Sequence, residues 1–302
     1  MSRFLILNAD DFGLTPRVNA AVERAHREGV LTSASLMMGQ QGFQEAVQIA
    51  KRNPKLGVGL HLTLSVDHAL LPNAAIPHLT SGNGRFGRDP LRVGLLYALS
   101  SAAQRELELE MEAQFNAFAG SSLKWSHVDG HQHFHVHPAV WKKLIPLCKS
   151  YNVHRIRLPA ENPVSHWKSG GDRPNLNTAA ALFLNYLSQS ARKYLLEIKE
   201  QFFFCDRVYG QMQSSNMNGR YLMNLLDRLE GQTNEAYFHP GTEYAKPLPH
   251  SQRREGVEDV EMAALLMPGI ASRLEQRDII TGIYEEAELA KTNARIQLTV
   301  NR

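Results

Sequence analysis

Apolar residues along this chain gather in short runs that alternate with amphipathic stretches of helical period. The run "RFLILNAD" has strand character, and after the turn "DFGLTP" the segment "RVNAAVERAHREGV" places Val18, Ala21, Val22 and Ala25 at helical spacing. "LTSASLMM" reads as a second strand, "FQEAVQIAKRN" as a second helix, and "LGVGLHLTL" as a third strand ending at His61 to Leu64. Residues 65–100 are rich in loops, with "SGNGRFGRDP" as their clearest turn cluster. "AQRELELEMEAQFNAFAG" follows as a long amphipathic helix closed by Gly120. It leads into "WSHVDGHQHFHVHP" as a strand, after which Pro138 opens the helix "AVWKKLIPLCKSY". Then come a strand "VHRIRLP", a helix "TAAALFLNYLSQSARKYLLEI", a helix "YLMNLLDRLE", a strand "EAYFHPG", the segment "DVEMAALLMPGIASRLEQRD" and a last short strand "IITGIY".

About seven strands alternating with helices predict an α/β fold with parallel pairing through right-handed crossovers, as a closed barrel or an open doubly wound sheet. Either arrangement gathers its active site at the carboxyl ends of the strands. One α/β barrel commonly takes about 250 residues, so the 302-residue chain is expected to form a single domain over 1–302, with loop insertions at about 65–100 and 160–176. No repeat, low-complexity tract or linker marks a boundary.

Composition narrows the setting. The net charge of +3 comes from scattered basic residues, which argues against a nucleic-acid partner, and no apolar run approaches the length of a bilayer span. "MSRFLILNADDFG" lacks the pattern of a secretory signal, and Cys148 and Cys205 lie far apart without ligand-like spacing. A soluble, cytoplasmic protein with two structural thiols is the expectation. The 13 histidines are unusual, and histidine is the residue of metal ligation and proton transfer.

Between Trp125 and Pro138, His127, Asp129, His131, His133, His135 and His137 all fall at odd positions. At roughly 3.3 Å per residue a strand would spread six groups on one face too far apart for any single ion. What matters is where the strand stops. Gly130 and the polar Gln132 end it near His131, which leaves His127 and Asp129 below the rim and His133, His135 and His137 on the loop leading to Pro138. His127 is expected to be a core histidine, and Asp129 an acceptor that orients a ligating histidine. For His133 and His135, a solvated or substrate-facing loop and direct ligation both remain open.

Asp10 and Asp11 end the first strand, His61 the third, Arg157 the fifth and His239 a late one, so several strands deliver ionisable groups to one rim. Asp11, His61 and His131 would make a site of two nitrogens and one oxygen with open positions, the arrangement of catalytic ions. Asp10 faces the other side of an extended chain, so it joins them only if the backbone turns sharply, a turn assigned to Gly13 of "DDFG". Taken alone, "ADDFG" reads as a turn and helix cap.

At these residues the sequence resembles the YdjC-like family of carbohydrate deacetylases: "LNADDFG", "GLHLTL", "HVDGHQHFHVHP" and "FHP" match its motifs in order. The resemblance implies a distorted (β/α) barrel like that of polysaccharide deacetylases and an enzyme that uses one divalent ion to hydrolyse N-acetyl groups of amino sugars. It implies Asp11, His61 and His131 as metal ligands, Asp10 as general base, His239 as acid and Arg157 as the residue orienting the base. "LTLSVDHALLP" and "QRELELEMEAQFNAF" resemble most the hopanoid-biosynthesis-associated, HpnK-like branch, which implies an N-acetylglucosaminyl lipid rather than a chitooligosaccharide.

The expected mechanism is amide hydrolysis, with the ion (Mg2+ or Zn2+) activating water and carbonyl, Asp10 taking a proton and His239 giving one to the leaving amine. The rivals are a two-metal phosphoesterase using Asp129, His133 and His135, and a non-catalytic metal-binding protein. The partner is an N-acetylated amino sugar, lipid-linked or not. Oligomeric state stays open, with a homodimer as one option.

Overall fold

The computed structural model describes residues 2–253 and 256–300. In chain order the elements are β1 (Arg3–Phe12), α1 (Pro16–Glu28), β2 (Ser33–Leu36), α2 (Phe43–Arg52), β3 (Gly57–Leu62), α3 (Pro90–Leu99), α4 (Ser101–Gly120) and β4 (Val128–Gly130). There follow α5 (Pro138–Ser150), α6 (Pro163–Lys168), α7 (Leu176–Glu197), β5 (Arg207–Tyr209), α8 (Gly219–Leu226) and β6 (Thr233–Phe238). The chain ends with α9 (Val260–Leu265), α10 (Pro268–Gln276), β7 (Ile279–Thr281) and α11 (Tyr284–Val300).

All strands are parallel, in the order β4-β3-β2-β1-β6-β5, with β7 paired to β1. The expected α/β class is what forms. β1 is long enough to hold three partners. One edge takes β6 along Phe4–Ala9, while the other takes β7 at Arg3–Leu5 and β2 from Asn8 to Phe12. Every residue of β1 after Arg3 is buried, as in a parallel sheet covered on both faces.

Beyond β4 the sheet curls through single parallel bridges, Val128 to Ile156 and Arg155 to Phe203. A few residues after Phe203 the same segment becomes β5, which pairs with β6, so the ring of strands closes into a distorted barrel. "VHRIRLP" therefore contributes isolated bridges rather than the regular strand expected of it. Its neighbour β4 has only three residues before the chain tightens into a 3₁₀ turn at His131–Val136, leaving no extended edge to pair with.

The insertions are not plain loops. The first contains α3, opened by Asp89, whose carboxylate accepts from Leu91 N and Arg92 N, and the second contains α6, capped by Asn162. Pro138 does open α5, with His137 accepting from Ala139 N. "DVEMAALLMPGIASRLEQRD" divides into α9 and α10 at Pro268, which has no N–H to continue a helix. Among the described residues no helix is long and apolar enough to cross a membrane. Cys148 and Cys205 are both free and buried.

Candidate metal centre

Asp11, His61 and His131 come together at the carboxyl ends of β1, β3 and β4. The turn that lets Asp11 join them lies at Asp11 itself rather than at Gly13. Asp11 has φ 64°, and the pairing of β1 with β2 shifts register between Ala9 and Phe12. A left-handed aspartate inside a strand is a strained bulge that aims two consecutive side chains at one place. Gly13 at φ 91° then continues the turn into α1.

Asp11 Oδ1 lies 2.9 Å from His131 Nδ1 and 3.3 Å from His61 Nε2, and the facing ligand atoms of all three residues fall within 4.8 Å of one another. Asp11 Oδ2 is buried without a hydrogen-bond partner. An unpaired buried carboxylate oxygen beside two imidazole nitrogens fits a divalent cation, and the set has the two-nitrogen, one-oxygen chemistry of catalytic sites. Asp129 Oδ1 accepts from His61 Nδ1 at 2.8 Å, which leaves Nε2 toward the centre, as an acceptor that orients a ligating histidine would. Burial alone would raise the Asp11 pKa, but the imidazoles of His131 and His61 hold it well below the usual carboxylate range. Burial works against a charged His61 ring, yet Asp129 and then Asp10 push its pKa up to about 10.

Beneath this centre sits Arg157, fully buried. Its Nη1 and Nη2 each donate to Asp10 at 2.8 Å as a two-pronged clamp. Nη1 also lies 2.8 Å from Asp129 Oδ2, and Nε and Nη2 donate to Glu235 Oε1 at 3.0 and 2.7 Å. Burial opposes its charge, but Asp10, Asp129 and Glu235 together raise its pKa well above the ordinary value. Asn8 Nδ2 donates to Asp10 Oδ1, and Tyr284 OH donates to the other oxygen of Glu235. His127 lies deeper, stacked on Tyr284 at 4.2 Å with Nε2 3.1 Å from Ser35 Oγ, the core histidine expected. Gly59 leaves room for that ring, since a Cβ there would stand 2.5 Å from it.

His239 follows β6 directly, at the same end of the barrel. Its N–H donates to Glu261 Oε2, and its Nδ1 stands 3.7 Å from the same oxygen, too far for a hydrogen bond but close enough for charge attraction. Burial would lower its pKa; Glu261, then Asp11 and Asp10, raise it instead. His133 and His135 are both buried, which removes the solvated-loop expectation. His133 Nε2 lies 3.0 Å from Tyr237 OH and His135 Nε2 2.8 Å from the Arg157 carbonyl, while both Nδ1 atoms lack partners. Burial is the main reason that His133 is held far below its ordinary pKa and His135 at about 4.

All six candidate residues thus meet at one end of the barrel. Sequence reading passed over Asn8, Ser35, Glu235, Glu261 and Tyr284, the partners that hold them. Glu261 had one usable signal, an acid inside an otherwise apolar stretch, in "VEMAALL", and Glu235 a weaker one, an acid just before the apolar "AYF".

The profile of the family described as YdjC-like protein matches residues 4–276, and the chain belongs to that family. A carbohydrate deacetylase of Geobacillus stearothermophilus is 31% identical over 95% of this chain and 98% of its own length. A carbohydrate deacetylase of Brevibacillus brevis is 44% identical, but over 49% of this chain and 57% of its own length. A chitooligosaccharide deacetylase of Proteus mirabilis is 34% identical over 60% of this chain and 66% of its own. Among solved structures, the Enterococcus faecalis V583 protein named for cellobiose-phosphate cleavage superposes with a TM-score of 0.71 at 22% identity, covering 95% of this chain and 99% of that one, which shows a shared fold.

Proposed function

We propose that this protein is a metal-dependent hydrolase that removes the N-acetyl group from an N-acetylglucosaminyl substrate. The observation that carries the reading is the convergence of Asp11, His61 and His131 beside an Asp10 clamped by Arg157. The relatives' names, carbohydrate and chitooligosaccharide deacetylase, support an amino-sugar substrate class. Asp11, His61 and His131 would hold a divalent ion, which would supply polarisation of the amide carbonyl and activation of water.

The chain's own groups do the rest. Arg157 and Asn8 hold Asp10 from below, so that its carboxylate is fixed as the base that takes the proton of the attacking water. His239, whose pKa Glu261 raises against the effect of burial, is the group that gives a proton to the departing nitrogen as the C–N bond breaks. Acetate and a free amine result.

A single ion suits the site better than two. Among the described residues the other cluster with ligand-like spacing, Asp10, His61 and Asp129, already has Arg157 as its cation, and His135 is tied to the Arg157 carbonyl. This counts against the two-metal phosphoesterase.

The deciding experiment measures acetate release by the metal-reconstituted protein from N-acetylglucosaminyl lipids, a hopanoid glycolipid among them, and from chitooligosaccharides. Release from the lipids in preference supports the glycolipid branch; release from the oligosaccharides alone supports the relatives' printed substrate. No acetate from either, with phosphate released from phosphoesters at about two ions per chain, would overturn the reading.

A further inference from the structure

An imidazole that ligates an ion through one nitrogen keeps a proton on the other, and whatever accepts that proton fixes the ring. For His61 the acceptor is Asp129, which takes a hydrogen bond from Nδ1 while Nε2 faces Asp11. His131 uses its nitrogens the other way round. Its Nδ1 lies 2.9 Å from Asp11 Oδ1, so the proton of a ligating ring belongs on Nε2. The acid facing Nε2 is Asp67, whose Oδ2 stands 3.7 Å away.

Asp67 belongs to "LTLSVDHALLP", in the insertion between β3 and α3, and nothing in the reaction described above uses it. Its side chain is 16% exposed, and among the described residues no donor hydrogen-bonds to its carboxylate. A shift of roughly 0.8 Å brings the Nε2–Oδ2 separation to the usual length of an N–H···O bond.

The backbone spends strain to put the acid there. Val66 has φ 69° and is the one β-branched residue among the described non-glycine residues with positive φ. A branched Cβ is a genuine outlier in that region, and such strain persists only where the surroundings impose it. Here they do. Val66 N donates to the Gly87 carbonyl, and the Asp67 carbonyl accepts from Phe86 N, each at 3.0 Å. Gln40 Nε2 donates to the His68 carbonyl at 2.7 Å, and the buried carboxylate of Glu110 on α4 accepts from Leu70 N and Leu71 N at 2.8 and 2.9 Å. The segment is thus tied on both sides of Asp67.

We propose that Asp67 is a positioning residue of the metal centre: it accepts a hydrogen bond from Nε2 of His131 and so holds Nδ1 toward the ion. The proposal rests on the ligand set given above. Each ligating histidine then has its own carboxylate, Asp129 from the barrel for His61 and Asp67 from the insertion for His131. The insertion becomes part of the centre.

The test is calorimetric titration of the metal-free full chain with Zn2+ alone. Asp67→Ala should weaken Zn2+ binding by about 10–100-fold, the usual effect of removing an acid behind a ligating histidine. Asp67→Asn, which keeps an oxygen acceptor without the charge, should lose less. In the Zn2+-loaded protein the His131 Nε2 proton should give a downfield, slowly exchanging signal in long-range proton–nitrogen correlation spectra. Asp67→Ala should lose that signal to exchange with water, a change that an acid serving only to shape the loop would not produce.

Zn2+ affinity in Asp67→Ala within about twofold of the unaltered protein, with His131→Ala still abolishing uptake, would overturn this proposal and leave the ligand set standing. No Zn2+ uptake by the unaltered protein, or full uptake by His131→Ala, would overturn the ligand set and this proposal with it. Circular dichroism checks that the variants fold. Should Asp67→Ala not fold, the Nε2 proton in the unaltered protein decides: fast exchange with water there would refute the hydrogen bond.

Discussion

Arg157→Met is the change that most directly probes how the site is held. Arg157 is buried among Asp10, Asp129 and Glu235, and methionine keeps much of its stem while removing the cation. Three buried carboxylates would then face one another without it. Removing one partner of a buried ion pair costs about 3–5 kcal/mol, and the loss is expected in that range at neutral pH. The pH dependence gives the sharper check. In the unaltered protein Asp129 is held below its ordinary value by Arg157 and His61 against the opposing effect of burial, so its stabilising contribution is present above the unfolded carboxyl value and is lost as pH falls through the folded one. Without Arg157 the guanidinium no longer offsets burial at Asp129, so its folded pKa rises. The deficit is then largest at neutral pH and shrinks as pH falls through the raised values toward about 4. Urea unfolding of both proteins at pH 8 and at pH 5, followed by circular dichroism, measures this. Arg157→Lys, which keeps a cation but loses the planar fork, should regain much of the stability while turnover stays low. A deficit below about 1 kcal/mol, or one that is the same at both pH values, would refute the account of the network as charge-held.

The other predictions concern the centre itself. Asp11→Ala, His61→Ala and His131→Ala should each lower metal content in elemental analysis and abolish acetate release, whereas His127→Ala should cost about 2–5 kcal/mol of stability; full metal in His131→Ala with loss in His135→Ala would move the ligand set. Asp10→Asn should keep its metal and lose turnover by roughly 10²–10⁴, and full activity would make Asp10 a turn residue. His239→Ala should lose far more activity on the amide than on an activated ester, whose leaving group needs little protonation; equal losses would withdraw the acid role. Because Glu261 raises the His239 pKa, Glu261→Gln should move the alkaline limb of the rate profile to lower pH.

The sequence by itself determined the alternation of strands and helices, since the apolar runs and helical stripes are local properties that folding had only to satisfy. It also determined the ends of the strands that matter: Gly130 and Gln132 stop β4 where expected, and Asp11, His61, His131 and His239 all stand at carboxyl ends. Period two puts His127 and His131 on the same face, and it was the strand end at Gly130 and Gln132 that separated a buried His127 from His131 at the rim. What lies beyond that local order was decided in three dimensions. The turn at Asp11 is a bulge created by pairing β1 with β2, and no residue type in "DDFG" marks aspartate rather than glycine as the left-handed position. "VHRIRLP" has strand composition but finds only single bridges, because the edge beside it ends after three residues. Glu235 and Glu261 take their meaning from Arg157 and His239, which lie 78 and 22 residues away in sequence. A buried acid is stable only beside its cation or donors, and that proximity is a property of the closed barrel rather than of any segment of the chain.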